Sequence, residues 1–172
     1  SHITASHELD ALRSPYLLSL LVDQVETTGE MPVGRAALFS GFVRQALLRE
    51  VLRGNSLFAP GLVLDSRDLR RITHWHWSKS YDLPERGPLL RRIAALAHAM
   101  QMRSADGERS QLRADYDDAL SMIDHPQAEA ILAAGESLAI LEEDQAAEKL
   151  MYVHQLVQEY FAARHLAAAP EA

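Results

Sequence analysis

Apolar residues recur along this chain with helical spacing, in stretches separated by short polar breaks. From about Ser6 to Thr27 they fall at Leu9, Leu12, Tyr16, Leu17, Leu20, Leu21 and Val25, one face of a 3.6-residue helix. Pro15 interrupts that rhythm. Ser14-Pro15 therefore reads as a new helix start, with Ser14 as N-cap and the proline at the first helical position, where its missing N–H costs nothing. Gly29-Glu30-Met31-Pro32 reads as a stop and a turn. A second helix is predicted from about Arg35 to Arg53, with Leu38, Phe39, Val43, Ala46, Leu47 and Val51 among its core positions, and Gly54-Asn55 ends it. Residues 55–82 are the least regular. A short helix fits Asp65 to Ile72, and Leu62-Val63-Leu64-Asp65 reads as a short buried turn.

The helical pattern returns from Pro84 to Met102 through Leu89, Leu90, Ile93, Leu96 and Met100, and a polar break follows at Ser104 to Ser110. The last third has a different rhythm. Leu112 to Ile123 and Gln127 to Ala134 read as two short helices about Asp124-His125-Pro126. Ser137 to Leu141 and Lys149 to Val153 flank an acidic, turn-like Glu142 to Glu148, which suggests a β-hairpin. A last helix is predicted over His154 to Ala168. The expectation is a mainly α protein, a helical bundle followed by a winged-helix-like domain with one short β-hairpin. Residues 1–82 would form the helical domain with a long C-terminal connection, and residues 83–172 the winged-helix-like domain.

Composition narrows the function. Hydrophobic residues make up 48% of the 172, enough for a core, and aromatics only 6%, which favours helices over a β-sandwich. The formal charge of −7 argues against a nucleic-acid partner, because phosphate contacts need clustered Lys and Arg. Lys79 and Lys149 are the only lysines, so a phosphate-gripping lysine has almost nowhere to sit. There is no cysteine, hence no disulfide and no thiolate chemistry. No apolar run approaches the ~18 residues of a membrane span, and the N-terminus lacks a signal pattern, so the expected setting is cytoplasmic, without membrane contact.

Two segments carry a family resemblance. The first is Leu12-Arg13-Ser14-Pro15-Tyr16-Leu17-Leu18-Ser19-Leu20-Leu21, followed by Gly29-Glu30-Met31-Pro32 and Arg35-Ala36-Ala37-Leu38-Phe39-Ser40-Gly41-Phe42. The second is Tyr152-Val153-His154-Gln155-Leu156-Val157-Gln158-Glu159-Tyr160-Phe161-Ala162-Ala163. Together they resemble the back half of NACHT-family signal-transduction ATPases, the STAND class, with its "NPLLL" and "F.H.SFQEYFAA" segments. The second motif is specific and the first moderately so; Ser14 departs from the usual residue before the proline. The resemblance implies that Pro15 packs near the adenine and that His154 reaches the phosphates of bound ADP, holding a closed, inactive state. An imidazole suits that role, since it donates to phosphate oxygen and gains further when charged. Read from the residues alone, a histidine at a strand-to-helix junction such as His154 is more often a local hydrogen-bonding or capping group than a ligand, and Pro15 is equally well explained as a helix-start proline. Gln158 and Glu159 read as structural, Tyr160 and Phe161 as core.

No Gly-Lys pair occurs in the chain, so a phosphate loop of the Walker A type is absent from it, and no Walker B strand stands in the family's order. The chain is therefore not expected to be an enzyme by itself. The resemblance implies a regulatory lid module without its own cofactor, part of a longer ATPase that uses ADP and ATP with magnesium. Its expected partners are the N-terminal nucleotide-binding domain of the same protein and a C-terminal sensor domain or protein partner, in signalling or defence. Apolar surface left by a missing front half could self-associate.

Other signals are weaker. His74-Trp75-His76-Trp77 would place two imidazoles on one face of an extended segment, but no third ligand stands near, and no metal site is expected. Gly135-Glu136-Ser137 follows a helix rather than a strand, against the geometry of a nucleophile elbow. Glu142, Glu143 and Asp144 read as a solvated hairpin tip. The rival readings are a DNA-binding winged-helix regulator, which an acidic wing disfavours, and a helical interaction adaptor with no nucleotide role.

Overall fold

The computed structural model describes residues 14–105 and 112–168, and within them the chain is mainly helical with one small sheet. Pro15 opens α1 (Pro15–Thr28) behind Ser14, whose side chain makes no capping bond, and Gly29 closes it at φ +73°. That left-handed backbone is one glycine adopts without a Cβ clash. Helix α2 (Arg35–Leu52) ends in the turn of Gly54 and Asn55, where the two amides bond back to Val51 and Glu50. A single 3₁₀ turn (Ser56–Phe58) leads to α3 (Ser66–Thr73). The long helix α4 (Leu89–Ala105) starts only after Pro88; Pro84 to Gly87, expected to be helical, are not, because two prolines bracket them. Most of the polar break predicted at Ser104 to Ser110 lies outside the described residues.

The chain groups into two compact units, Ser1–Gln45 with Trp77–Leu83, and Ala46–His76 with Pro84–Ala172. One of the crossings falls beside the expected boundary at residue 82. Residues 46–76, expected with the first domain, group with the second.

In the first unit, polar side chains tie helices and loop to backbone. The buried Gln24 amide donates to the Leu38 carbonyl, and Gly41 leaves the room it needs, since a Cβ there would collide with the Gln24 side chain. Buried Arg44 donates to the carbonyls of Asp82 and Lys79, both at 2.7 Å, and lies 4.6 Å from the Trp77 ring. The two Arg44 bonds satisfy carbonyls that the loop would otherwise leave to water.

The second unit builds on α4, which packs against α5 (Tyr116–Ile123), α6 (Ala128–Ser137) and, most extensively, α7 (Gln155–Ala168). Between α4 and α5 lies a strand, β1 (Arg113–Asp115), where a helix was expected to begin at Leu112. Three residues with one buried side chain, Ala114, are too short a pattern to announce a strand. The hairpin consists of β2 (Leu141–Asp144) and β3 (Lys149–Tyr152), and the antiparallel sheet has the order β1-β3-β2. Helix, strand, helix, helix, hairpin is the topology of a winged helix, with α7 appended. Glu142, Glu143 and Asp144, expected at the hairpin tip, lie within β2; the turn is Gln145 to Glu148. Ser137 and Leu138 belong to the end of α6 rather than to the hairpin.

Two close approaches position the ends of these helices. Gly135 lets α6 lie on β2, because a Cβ there would stand 2.6 Å from Leu141 Cδ1. Gly87 does the same before α4, where a Cβ would stand 2.6 Å from the Val63 carbonyl oxygen. The fully buried Asp68 holds this junction. Its carboxylate accepts the amides of Gly87 at 2.7 Å, Arg86 at 3.1 Å and Asp65 at 3.2 Å. Asp65 in turn caps α3 by accepting from Asp68 N–H at 2.8 Å, completing a capping box. The Asp68 N–H bond first, and then Arg86, hold the Asp65 carboxyl below the usual carboxylate pKa.

Candidate functional site

Helix α7 begins where the sheet ends. Val153 and His154 alone separate β3 from α7, and the sheet anchors this link firmly. Tyr152 is buried and donates its hydroxyl to the Ile93 carbonyl of α4 at 2.6 Å, while Val153 N–H bonds Ile140 at 3.1 Å. His154 is half-buried and stands at the N-cap of α7. Its Nδ1 accepts the Leu156 amide at 3.1 Å, and its carbonyl accepts from Val157 and Gln158. A neutral ring that accepts at Nδ1 carries its proton on Nε2. The capping geometry thus fixes both the tautomer and the ring orientation.

The rest of the motif is structural. Phe161 and Val157 are core, and Gln158 is fully buried in the same helix. Glu159 faces solvent and accepts from Gln155 at 3.0 Å, an i,i+4 pair. Tyr160 is only half-buried, with its ring edge on Phe161 and the Arg164 guanidinium 5.8 Å from its face. Pro15, the other implied nucleotide-site residue, is exposed at the first position of α1. It belongs to the first unit and His154 to the second.

The winged-helix face has a clear electrostatic sign. In a DNA-binding domain of this topology the second helix of the pair and the wing face the duplex. Here α6 contains Glu129 and Glu136 and no Lys or Arg. A cleft of about 440 Å³ beside the wing is lined by Asp115, Asp117, Asp118, Glu143 and Glu148 with Tyr116. Burial, and then the Glu143 carboxylate, raise the Glu136 pKa; burial and the surrounding carboxylates, Glu143 first, raise that of Tyr116. Lys149 is paired with Asp115 at 2.5 Å. Such a face repels phosphate.

His74 closes α3 as its C-cap and Trp75 has φ +50°, so the chain turns at His74–Trp75 and does not form the extended strand that would align two imidazoles. Among the described residues no group of three or more metal-ligating side chains converges. Nor is any helix among them long and apolar enough to cross a membrane. Compared with known proteins, the chain matches no family model, no curated protein and no solved structure.

Proposed function

We propose that this chain is the regulatory lid module of a NACHT-type switch ATPase, which senses the ADP or ATP state and relays it to adjoining sensor or effector domains. The observation that carries the reading is the placement of His154. The histidine of the Tyr152-to-Ala163 motif sits on a rigid strand-to-helix link, with Nδ1 committed to the helix and the proton on Nε2. That is the form of imidazole that donates to a phosphate oxygen. A bond made with one nucleotide and lost with the other gives the differential affinity a switch needs. Pro15 would pack near the adenine from the helical domain. The nucleotide, with magnesium, and the catalytic residues would come from the N-terminal domain of the longer protein, so this module is no enzyme alone.

The DNA-binding alternative shares the topology, but its contact face is acidic here. A nucleotide-independent adaptor gives the sequence around His154 no task beyond capping.

The test is ADP retention by the longer protein that includes this module. His154→Ala is expected to release ADP at least ten-fold faster and to raise basal activity. Unchanged ADP retention with an equally inactive protein would sink the reading.

A further inference from the structure

The second unit contains a cleft of about 540 Å³ whose character is opposite to that of the wing. Three segments far apart in sequence wall it. The start of α4 supplies Pro88, Arg91, Arg92 and Ala95; the α5–α6 turn supplies His125; the end of α7 supplies Arg164, His165 and Ala168. Among the described residues Glu85 is the one acid of the lining, and it is paired with Arg164 at 2.5 Å. Two guanidinium groups and two imidazoles therefore line the space without a carboxylate of their own among the described residues, in a chain of net charge −7.

The cationic groups are held in place. Arg92 donates to the carbonyls of Ile123 and Asp124 at 3.1 and 3.4 Å, and Arg91 to that of Arg86 at 3.1 Å. His125 Nδ1 accepts the Gln127 amide at 3.0 Å, which puts the imidazole proton on Nε2. The His165 ring is stacked on His98, with centroids 4.9 Å apart. Burial disfavours the Arg164 charge, but Tyr160 and Glu85 more than offset it, and its pKa lies above the ordinary guanidinium value.

Helix electrostatics explain half of this arrangement. Cations in the last turns of α7 are favoured by the helix dipole, which accounts for Arg164 and His165. Arg91 and Arg92 are in the first turn of α4, where the dipole is already positive and the turn itself has no acidic residue. Like charges held at a positive helix end repel one another, and an anion bound between them would relieve that repulsion.

We propose that this cleft is a binding site for a small phosphate ester. Guanidinium groups present paired N–H donors that match phosphate oxygens. The volume lies in the range of small-molecule sites, and Pro88, Ala94, Ala95 and Ala168 offer apolar wall for the body of the ester. His165 is eleven residues beyond His154, about 16 Å along α7, so this site is separate from the nucleotide contact proposed above and stands whether or not that reading holds.

The experiment is calorimetric titration of the chain with inorganic phosphate and with phenyl phosphate, at constant ionic strength in chloride. Saturable one-to-one binding is expected, with phenyl phosphate several-fold tighter because its ring meets the apolar wall. Arg91→Gln, at an exposed position, should weaken both at least five-fold, and Ala95→Glu, which adds a carboxylate to the lining, should abolish them. Circular dichroism would show that each variant is folded. The assignment is overturned if both folded variants bind like the parent chain, or if chloride alone gives the same thermal stabilisation. It is equally overturned if a short oligonucleotide binds as well per phosphate, or if His154→Asn is the variant that weakens binding, which would place the phosphate at the β3–α7 junction.

Discussion

Two histidines of the second unit make the same bond shortly before a helix. His125 before α6 and His154 before α7 each accept an amide two residues on through Nδ1, at 3.0 and 3.1 Å, and each is half-buried. Their surroundings differ. His125 faces a cleft that already contains Arg91, Arg92 and Arg164, while the two clefts described above, and one around Arg67, Arg70, Arg71 and Arg86, are lined by residues other than His154. A histidine that accepts an amide at Nδ1 presents the same Nε2 proton wherever it stands, and its neighbours decide what the proton can hold. At His125 the cations needed to hold a phosphate come from this unit. At His154 they would have to come from another domain, as a lid over a nucleotide requires.

The comparison can be broken at its supports. The largest effect is expected at Tyr152, whose buried hydroxyl ties the His154 link to α4. Tyr152→Phe should cost about 1.5 kcal/mol of unfolding free energy, measured by denaturant titration. It should shift the imidazole signals of His154 in nuclear magnetic resonance and leave those of His125 in place; equal disturbance of both would show that the two junctions are not independent. The next effect is that of the two Nδ1 contacts. His154→Ala should cost about 1 kcal/mol and His154→Asn only a few tenths, because Asn also accepts the amide two residues on; His125→Ala removes a turn bond before the Gln127 N-cap and should cost about 0.5 kcal/mol. A His154→Ala variant as stable as its parent would mean that the Nδ1 contact is not a cap.

Much of the scaffold was legible in the sequence. Ser14-Pro15 located the start of α1, the apolar face of α2 its span, and the tyrosine-to-alanine motif the start of α7. Strand β1 was not legible, because three residues with one buried alanine do not make a pattern. The first strand of the hairpin was placed several residues early, since the apolar run at Leu138 to Leu141 serves first the end of α6 and then β2, while the second was placed correctly from Lys149. Buried Asp68 had a faint signal, Asp65 followed three residues later by another acid, the spacing of a capping box. His154 was legible as a candidate by its motif, and its cap could be inferred from its position. The basic cleft was not, because its residues come from three segments that only the fold brings together. His125 stands three residues before α6, whereas His154 directly precedes α7, and no motif drew notice to it.

The proposal for His154 rests on separating its two contacts, and alanine removes both. His154→Asn keeps an acceptor for the Leu156 amide and loses the reach and the donor of the imidazole. The decisive quantity is the rate of ADP release from the longer protein, compared among the parent, His154→Asn and His154→Ala. A sensor predicts that the Asn variant, though as stable as the parent, releases ADP nearly as fast as the Ala variant. Release by His154→Asn at the parental rate would reduce His154 to a helix cap.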